Sequence, residues 1–163
     1  MITLKPQPLT KAVFAPFGDV IEMEGARHYP INQGFAERFN DLGHVDVMAE
    51  GGAVNISIVA ADPRPVPIAI KLMERHPLGS QIFYPLQDRD WLVLVAGDLD
   101  DAASFRAFAA TGRQGVNYAR NVWHHPLLVF DEGHRFLMVD RKGPGNNLEE
   151  VWFPENRIIV LNP

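Results

Sequence analysis

The amino-acid sequence predicts an all-β fold with minor helix, arranged as an antiparallel barrel or sandwich. About ten short apolar or alternating segments recur along the chain, and turn signals separate them at short intervals. The 13 glycines and 13 prolines supply those turns. A chain of 163 residues with 47% hydrophobic content can fill one well-packed core but is too short for two ordinary domains. Residues 1–163 are therefore expected to form a single domain.

The N-terminal segment predicts short elements. Ile2 to Leu4 is suited to a strand, and the hydroxyl of Thr10 can cap a short helix that runs through Phe14. Another strand is expected at residues 20–22. Asn32-Gln33-Gly34 predicts a turn whose asparagine could bond its own backbone or face a ligand. Asn32 is therefore kept as a candidate substrate-binding residue.

The middle of the chain predicts further strands and a proline-rich loop. Residues 53–59 alternate, and the prolines within residues 62–67 then break any regular structure. Residues 68–74 and 80–86 predict two adjoining strands with a turn between them. Residues 91–96 form a short, continuously apolar run, which is typical of a strand buried on both faces.

The C-terminal part continues in short strands. Residues 104–109 fit either a strand or a single helical turn. Residues 127–130 and 135–140 predict a hairpin around the turn at residues 131–134. Two more strands, at residues 148–153 and 157–161, are expected to close the chain.

One stretch, residues 114–126, concentrates polar and aromatic side chains. If it runs extended, its side chains alternate between two faces, and each face carries one histidine. Pro126 then indicates that the strand ends or bulges after the histidine pair. One face would hold Tyr118, Arg120, Val122 and His124, and the other Ala119, Asn121, Trp123 and His125.

A second polar cluster lies about forty residues earlier, at Glu74, Arg75, His76 and Gln81. Two clusters so far apart along the chain can converge only inside a rolled β structure. Their convergence in one cavity is the working hypothesis for the site.

Histidine is the most informative residue type in both clusters. Neutral imidazole near pH 7 can accept a proton, donate one or bind a metal, so His76, His124 and His125 are the catalytic candidates. A structural role for each of them remains the alternative. The other histidines fall in apparent loops and are expected at the surface: His28, His44 and His134.

Arginine and neutral polar side chains complete the candidate site. The guanidinium of Arg75 or Arg120 matches the geometry of a carboxylate, although an ion pair with a neighbour such as Glu74 is the alternative. The candidates for orienting a small polar ligand are Gln81, Tyr118 and Asn121.

Composition excludes several classes of function. A net charge of −5 with scattered basic residues argues against nucleic acid or anionic membrane as the partner. The lack of cysteine removes disulfides, thiolate metal sites and a cysteine nucleophile. No signal pattern is present, and no apolar run reaches the roughly 20 residues that span a bilayer. A cytoplasmic protein that acts on a small molecule is expected.

Two long motifs carry a resemblance to a known family. The segments ERHPLGSQ, residues 74–81, and QGVNY…NVWHHPL, within residues 114–127, resemble those of the ureidoglycolate lyases, enzymes of allantoin catabolism that are also called ureidoglycolate hydrolases. The resemblance covers nearly the whole chain and is weakest after Gly143. It includes Ile31-Asn32, Glu37-Arg38 and Arg106-Ala107-Phe108.

The resemblance implies a cupin-like antiparallel β-barrel, or double-stranded β-helix, a homodimer, and cleavage of (S)-ureidoglycolate to glyoxylate and urea. It also implies nickel or another divalent ion. The positions that align with the wider cupin pattern are Glu74, His76, Gln81 and Tyr118, and only one of them is a histidine. Neutral Gln and Tyr bind transition metals poorly, so the metal question stays open, with Glu74, His76 and Gln81 as the ligand candidates.

The implied reaction needs a base, an acid and an anchor for the carboxylate, but no nucleophile. His76 and one of His124 or His125 are the acid-base candidates, and Arg75 or Arg120 is the anchor. Two other functions remain open. One is a ureidoglycolate amidohydrolase that releases ammonia and carbon dioxide, and the other is a barrel that binds small acids without turnover.

Overall fold

The structure, a computed structural model, describes all of residues 1–163. It is built almost entirely of short strands, and its one α-helix, α1, has four residues. The structure contains no helix with the length and hydropathy of a membrane span. The elements are β1 (Ile2–Leu4), β2 (Gln7–Pro8), α1 (Lys11–Phe14), β3 (Gly18–Ile21), β4 (Arg27–Ile31), β5 (Ala36–Asn40), β6 (Ala53–Ala61), β7 (Ile68–Ala69), β8 (Leu72–Arg75), β9 (Gln81–Pro85), β10 (Trp91–Ala96), β11 (Phe105–Ala110), β12 (Gly115–Tyr118), β13 (Trp123–His124), β14 (Leu128–Val129), β15 (His134–Lys142), β16 (Glu149–Trp152) and β17 (Ile159–Leu161), with 3-10 turns at Asn32–Gly34, Ala49–Gly51 and Ala102–Ser104.

Two sheets form the walls of the barrel. The first runs in the order β16-β8-β13-β10-β11-β2, with β14 also paired to β10, and the second in the order β3-β12-β9-β15-β6. Apolar side chains from both sheets, such as Val95, Phe108, Phe83 and Phe136, pack into one buried cluster between them. The predicted all-β fold with minor helix is therefore confirmed.

Both faces of strand β10 are buried, which explains why residues 91–96 are continuously apolar. Val93 and Val95 pack into the cluster between the two sheets. Leu92 and Leu94 belong to a second cluster, together with residues of the small sheet β1-β17-β7. The strand is thus covered on both faces, as predicted.

Several local predictions are confirmed. The hydroxyl of Thr10 accepts a hydrogen bond from the backbone N–H of Val13 at 3.3 Å and caps α1. Pro126 separates β13 from β14, and both of these short strands pair with β10. The residues 62–67 form a loop, and Asn32 lies in the turn between β4 and β5 with a φ of 52°.

Two other predictions are wrong. The strands β14 and β15 do not form a hairpin, because β14 pairs with β10 in the first sheet while β15 pairs with β6 and β9 in the second. Residues 114–126 do not run extended throughout, since the chain turns between β12 and β13 and Asn121 takes a φ of 64°. Alternation identifies a strand but not its partner, so it could not reveal that each connection crosses between sheets.

The prediction that His134 lies at the surface is also wrong. Its side chain is fully buried, and its ring centroid lies 4.5 Å from that of Phe136. Pairing with Ala61 draws it into the start of β15, so the turn that precedes it ends one residue earlier than the sequence suggested.

Candidate active site

Two cross-strand pairs, one in each sheet, bring the remote polar clusters together. His124 of β13 pairs with Glu74 of β8 in the first sheet. Tyr118 of β12 pairs with Gln81 of β9 in the second. The ring of Tyr118 stacks on that of His124, so the two pairs meet between the sheets. The predicted convergence is present in the fold.

Glu74 lies between two imidazole rings. Its Oε1 atom is 3.4 Å from Nε2 of His124 and 3.9 Å from Nε2 of His76. The two imidazole centroids are 5.1 Å apart. One nitrogen from each ring and one carboxylate oxygen thus all lie within 4.8 Å of one another.

Backbone carbonyls determine which nitrogen of each imidazole carries the proton. Nδ1 of His76 lies 2.8 Å from the carbonyl oxygen of Asn147, and Nδ1 of His124 lies 2.9 Å from that of Val122. A carbonyl oxygen can only accept, so Nδ1 must carry the hydrogen in the neutral ring. Each Nε2 lone pair then faces Glu74, and both Nε2 atoms are buried without a hydrogen-bond partner.

Burial and mutual charge shift the titration of this cluster. Burial and the charge of His124 lower the pKa of His76, which favours the neutral ring. Burial alone would raise the pKa of Glu74, but the neighbouring imidazoles of His124, His76 and His125 outweigh it and lower that pKa. Burial and the charge of Glu74 raise the pKa of Tyr118 beyond its usual value, so its hydroxyl stays protonated.

The donor set fits a divalent transition metal. Two imidazole nitrogens and one carboxylate oxygen are ligands that such ions prefer. The carbonyl contacts of His76 and His124 at Nδ1 are of the kind that orient metal-binding histidines. Gln81 adds a buried Oε1 without a partner. The metal-ligand candidates from the sequence were Glu74, His76 and Gln81, and the structure adds His124 to Glu74 and His76.

A cavity of about 430 Å³ lies beside the cluster, within the roughly 300 to 1,000 Å³ of small-ligand sites. Glu74 and Gln81 lie in its wall, together with Arg64 from the loop after β6. The cavity can therefore admit a small polar molecule to the carboxylate and to Gln81.

The two predicted anchor arginines lie elsewhere. Nε of Arg75 donates to Glu149 at 2.6 Å, and its guanidinium lies 4.4 Å from the ring centroid of Trp123. Arg120 donates to the carbonyl of Pro77 at 3.1 Å and 3.2 Å. Neither lines the cavity beside Glu74. The ion-pair alternative for Arg75 is therefore correct in kind, although its partner is Glu149 rather than Glu74.

Other predicted residues also lie outside the cluster. The backbone N–H of Asn121 donates to the carbonyl of His76 at 3.0 Å, so this residue braces the turn that carries His76. Asn32 is exposed at the tip of the β4–β5 hairpin. His125 is buried with Nδ1 2.8 Å from the carbonyl of Pro126, and burial lowers its pKa to about 4.

Two residues near the site were not identified from the sequence. Asn147 holds His76 through its carbonyl, and its side-chain Oδ1 accepts from the N–H of Leu78 at 2.7 Å. Arg64 contributes a cation to the cavity. Arg64 was predicted only as part of a proline-rich loop, and nothing in the sequence around Asn147 carried a chemical signal.

Comparison with known proteins identifies relatives along the whole chain. A family model described as ureidoglycolate lyase matches residues 1–160. The ureidoglycolate lyase of Burkholderia mallei is 52% identical over 158 residues, which are 96% of this chain and 92% of that protein. Ureidoglycolate lyase 1 of Rhizobium meliloti is 53% identical over 157 residues, with the same two coverages.

A third relative and one solved structure complete the comparison. The ureidoglycolate lyase of Pseudomonas syringae pv. tomato is 50% identical over 165 residues, covering 100% of this chain and 97% of that protein. A mutant of Bacillus subtilis oxalate decarboxylase aligns with 68% of this chain and 32% of its own at 14% identity. The TM-score of that alignment is 0.37.

Proposed function

This chain belongs to the ureidoglycolate lyase family, and we propose that it cleaves (S)-ureidoglycolate to glyoxylate and urea. The observation that carries the proposal is the cluster of buried His124 with half-buried Glu74 and His76, beside a cavity of small-molecule size. The chain has no cysteine that could act as a nucleophile. The imidazole nitrogens of the cluster can instead accept and donate protons.

The substrate itself dictates what the site must do. Its central carbon carries a hydroxyl, a carboxylate and a nitrogen of the urea group. When the hydroxyl loses its proton, the oxygen forms a carbonyl with that carbon, and the carbon–nitrogen bond breaks. The electron pair of that bond stays on the nitrogen, which takes up a proton and leaves as urea. No atom is added from outside, so a proton acceptor and a proton donor suffice.

The residues of the cluster suit these proton movements. Nε2 of His76 or of His124 accepts the hydroxyl proton, because Nδ1 of each ring is already committed to a carbonyl. The carboxylate of Glu74 stabilises the imidazolium that results. The protonated imidazole returns the proton to the departing nitrogen. Gln81 orients the urea group, because its free Oε1 can accept from an amide N–H.

The same atoms would hold a divalent ion: Nε2 of His76, Nε2 of His124 and the carboxylate of Glu74. Bound there, such an ion would supply Lewis-acid chemistry toward a substrate oxygen. A nitrogen that binds an ion cannot accept a proton, so metal-stripped and metal-loaded protein separate the two roles. Nickel is the ion to test first, since the family resemblance implies it.

The deciding experiment incubates both metal states with racemic ureidoglycolate and follows urea, glyoxylate and ammonia together. Equal release of urea and glyoxylate from one enantiomer supports the proposal. Release of ammonia would overturn it in favour of an amidohydrolase. Glyoxylate binding without turnover in either metal state would overturn it in favour of a binding protein.

A matched pair of variants ties the activity to the cluster. His124→Asn removes the Nε2 atom that faces Glu74 and should abolish turnover. His28→Asn removes a surface imidazole whose Nδ1 lies 2.7 Å from Glu37, and it should leave turnover unchanged. Wild-type turnover in His124→Asn would contradict the role of the cluster.

We also propose a homodimer that functions in the cytoplasm. The outer face of β6 supports a self-association surface, since Val54, Ile56 and Ile58 lie on it and the two isoleucines are 69% and 66% exposed. Such a surface on an edge strand favours a protein partner. Light scattering on Ile56→Lys tests this: a monomer supports the interface, whereas an unchanged dimer, or a monomeric wild type, contradicts it.

A further inference from the structure

We propose that Arg64 binds the carboxylate of the substrate. This inference rests on the proposed function, because it assigns the anchor that an anionic substrate of this site requires. The loop that carries Arg64 follows β6 directly, and Arg64 lines the same cavity as Glu74 and Gln81.

The charge of the cavity wall makes a cation necessary. Glu74 and Asp62 both lie in this wall and both carry carboxylates. A third carboxylate, that of the substrate, would be repelled there unless a positive charge offset it. Arg64 is the only arginine or lysine that lines the cavity.

Arg64 is also free to bind a ligand. No carboxylate of the protein lies within ion-pair distance of its guanidinium, and its side chain makes no hydrogen bond. Arg75 and Arg120 are instead held by Glu149 and by the carbonyl of Pro77. The fork of donors that matches a carboxylate is therefore available at Arg64 and engaged at the two arginines singled out from the sequence.

The loop holds Arg64 at the cavity with few conformations open to it. Pro63 and Pro65 flank it, and each proline fixes its own φ angle. Asp62 accepts a hydrogen bond from the N–H of Gly133 at 2.9 Å, which ties the start of the loop to the turn before β15. Because the backbone is already restrained, binding costs less ordering than it would in a flexible loop.

Arg64, Gln81 and Glu74 together orient the substrate. Its carboxylate lies against Arg64, its urea group against Gln81, and its hydroxyl toward the cluster around Glu74. The arrangement selects small 2-hydroxy and 2-oxo acids over neutral analogues of the same shape.

Three variants test the anchor in steady-state kinetics with ureidoglycolate. Arg64→Gln should raise KM roughly 10- to 100-fold with a smaller change in kcat, since it removes a charge-assisted contact away from the bond that breaks. Arg64→Lys keeps the charge but not the fork, so it should recover part of the loss. Arg135→Gln, which changes another exposed arginine outside the cavity, should behave as wild type.

Calorimetric binding of glyoxylate gives a readout that does not depend on turnover. Arg64→Gln should weaken glyoxylate binding by a similar factor and leave the thermal unfolding temperature unchanged, because Arg64 has no partner in the protein. Wild-type KM and wild-type glyoxylate affinity in Arg64→Gln would overturn the inference. If wild-type protein releases no urea, the proposed function fails, while the glyoxylate affinities still decide the role of Arg64.

Discussion

The imidazole of His124 lies flat against the phenol ring of Tyr118, with ring centroids 4.1 Å apart and an angle of 8° between the planes. The two residues belong to different sheets, so this contact joins the walls of the barrel at the candidate active site. It also restricts the tilt of the ring whose Nε2 faces Glu74.

Replacing Tyr118 tests what the stacked ring contributes. Tyr118→Leu removes the flat surface, so we expect kcat to fall about tenfold or more and the free energy of unfolding to drop by roughly 1–3 kcal/mol. Tyr118→Phe keeps the ring and should retain kcat within a few-fold. Kinetics and urea denaturation measure both. If Tyr118→Phe is as impaired as Tyr118→Leu, the hydroxyl rather than the stack is what the reaction needs.

Asn147 should act by positioning His76. In Asn147→Ala the N–H of Leu78 loses its acceptor, which costs about 1 kcal/mol and loosens the loop whose carbonyl holds His76. We expect kcat to fall several-fold with little change in KM, and Asn147→Asp to restore most of it. The neighbouring Asn146→Ala is the control, because that side chain contacts only the N–H of Leu148 at 3.3 Å. Equal kinetics for the two alanine variants would rule out the positioning role.

Arg75 should contribute to stability and not to substrate affinity. Its guanidinium links Glu149 of β16 to the ring of Trp123 in β13. Arg75→Ala is therefore expected to lower the free energy of unfolding by about 1 kcal/mol, since both contacts are partly exposed to solvent. KM for ureidoglycolate should stay near the wild-type value. A large rise in KM at unchanged stability would instead show that Arg75 anchors the substrate.

His134 should make stability depend on pH. Burial and the charge of Arg89 lower the pKa of His134, and both of its ring nitrogens lack a partner. The unfolded chain therefore takes up a proton near pH 6.5 that the folded chain excludes, so stability is lost as pH falls below about 6.5. His134→Phe cannot take up that proton and suits the apolar contact with Phe136.

Urea denaturation at a series of pH values measures this effect. The unfolding free energy of His134→Phe should fall less steeply than that of wild type as pH is lowered. His44→Gln changes an exposed histidine and should leave the wild-type slope in place. Parallel curves for wild type and His134→Phe would mean that His134 is not the source of the pH dependence.

Much of the fold could be predicted because strand patterns are local. The alternation of residues 53–59 and the apolar run of residues 91–96 each depend on which faces of one strand are buried. Partners depend on connections that cross between sheets, and no local pattern records them. The predicted hairpin of residues 127–140 was wrong for this reason.

The candidate site could also be predicted in part. Glu74, His76, Gln81 and Tyr118 stood out as polar or ionisable groups in strand-rich segments, and the fold brings them together with His124. The sequence could not show which arginine is free to bind a ligand, because every arginine carries the same guanidinium group. Whether one is free depends on neighbours such as Glu149, which is 74 residues from Arg75 along the chain.

The sequence by itself determined the all-β class, the two polar segments and the family, because strand periodicity and residue chemistry are written along the chain. Only the tertiary structure decided which histidine joins Glu74 and which arginine is left without a partner. Those outcomes depend on side chains that meet across two sheets, and their burial and pairing exist only once the barrel has closed.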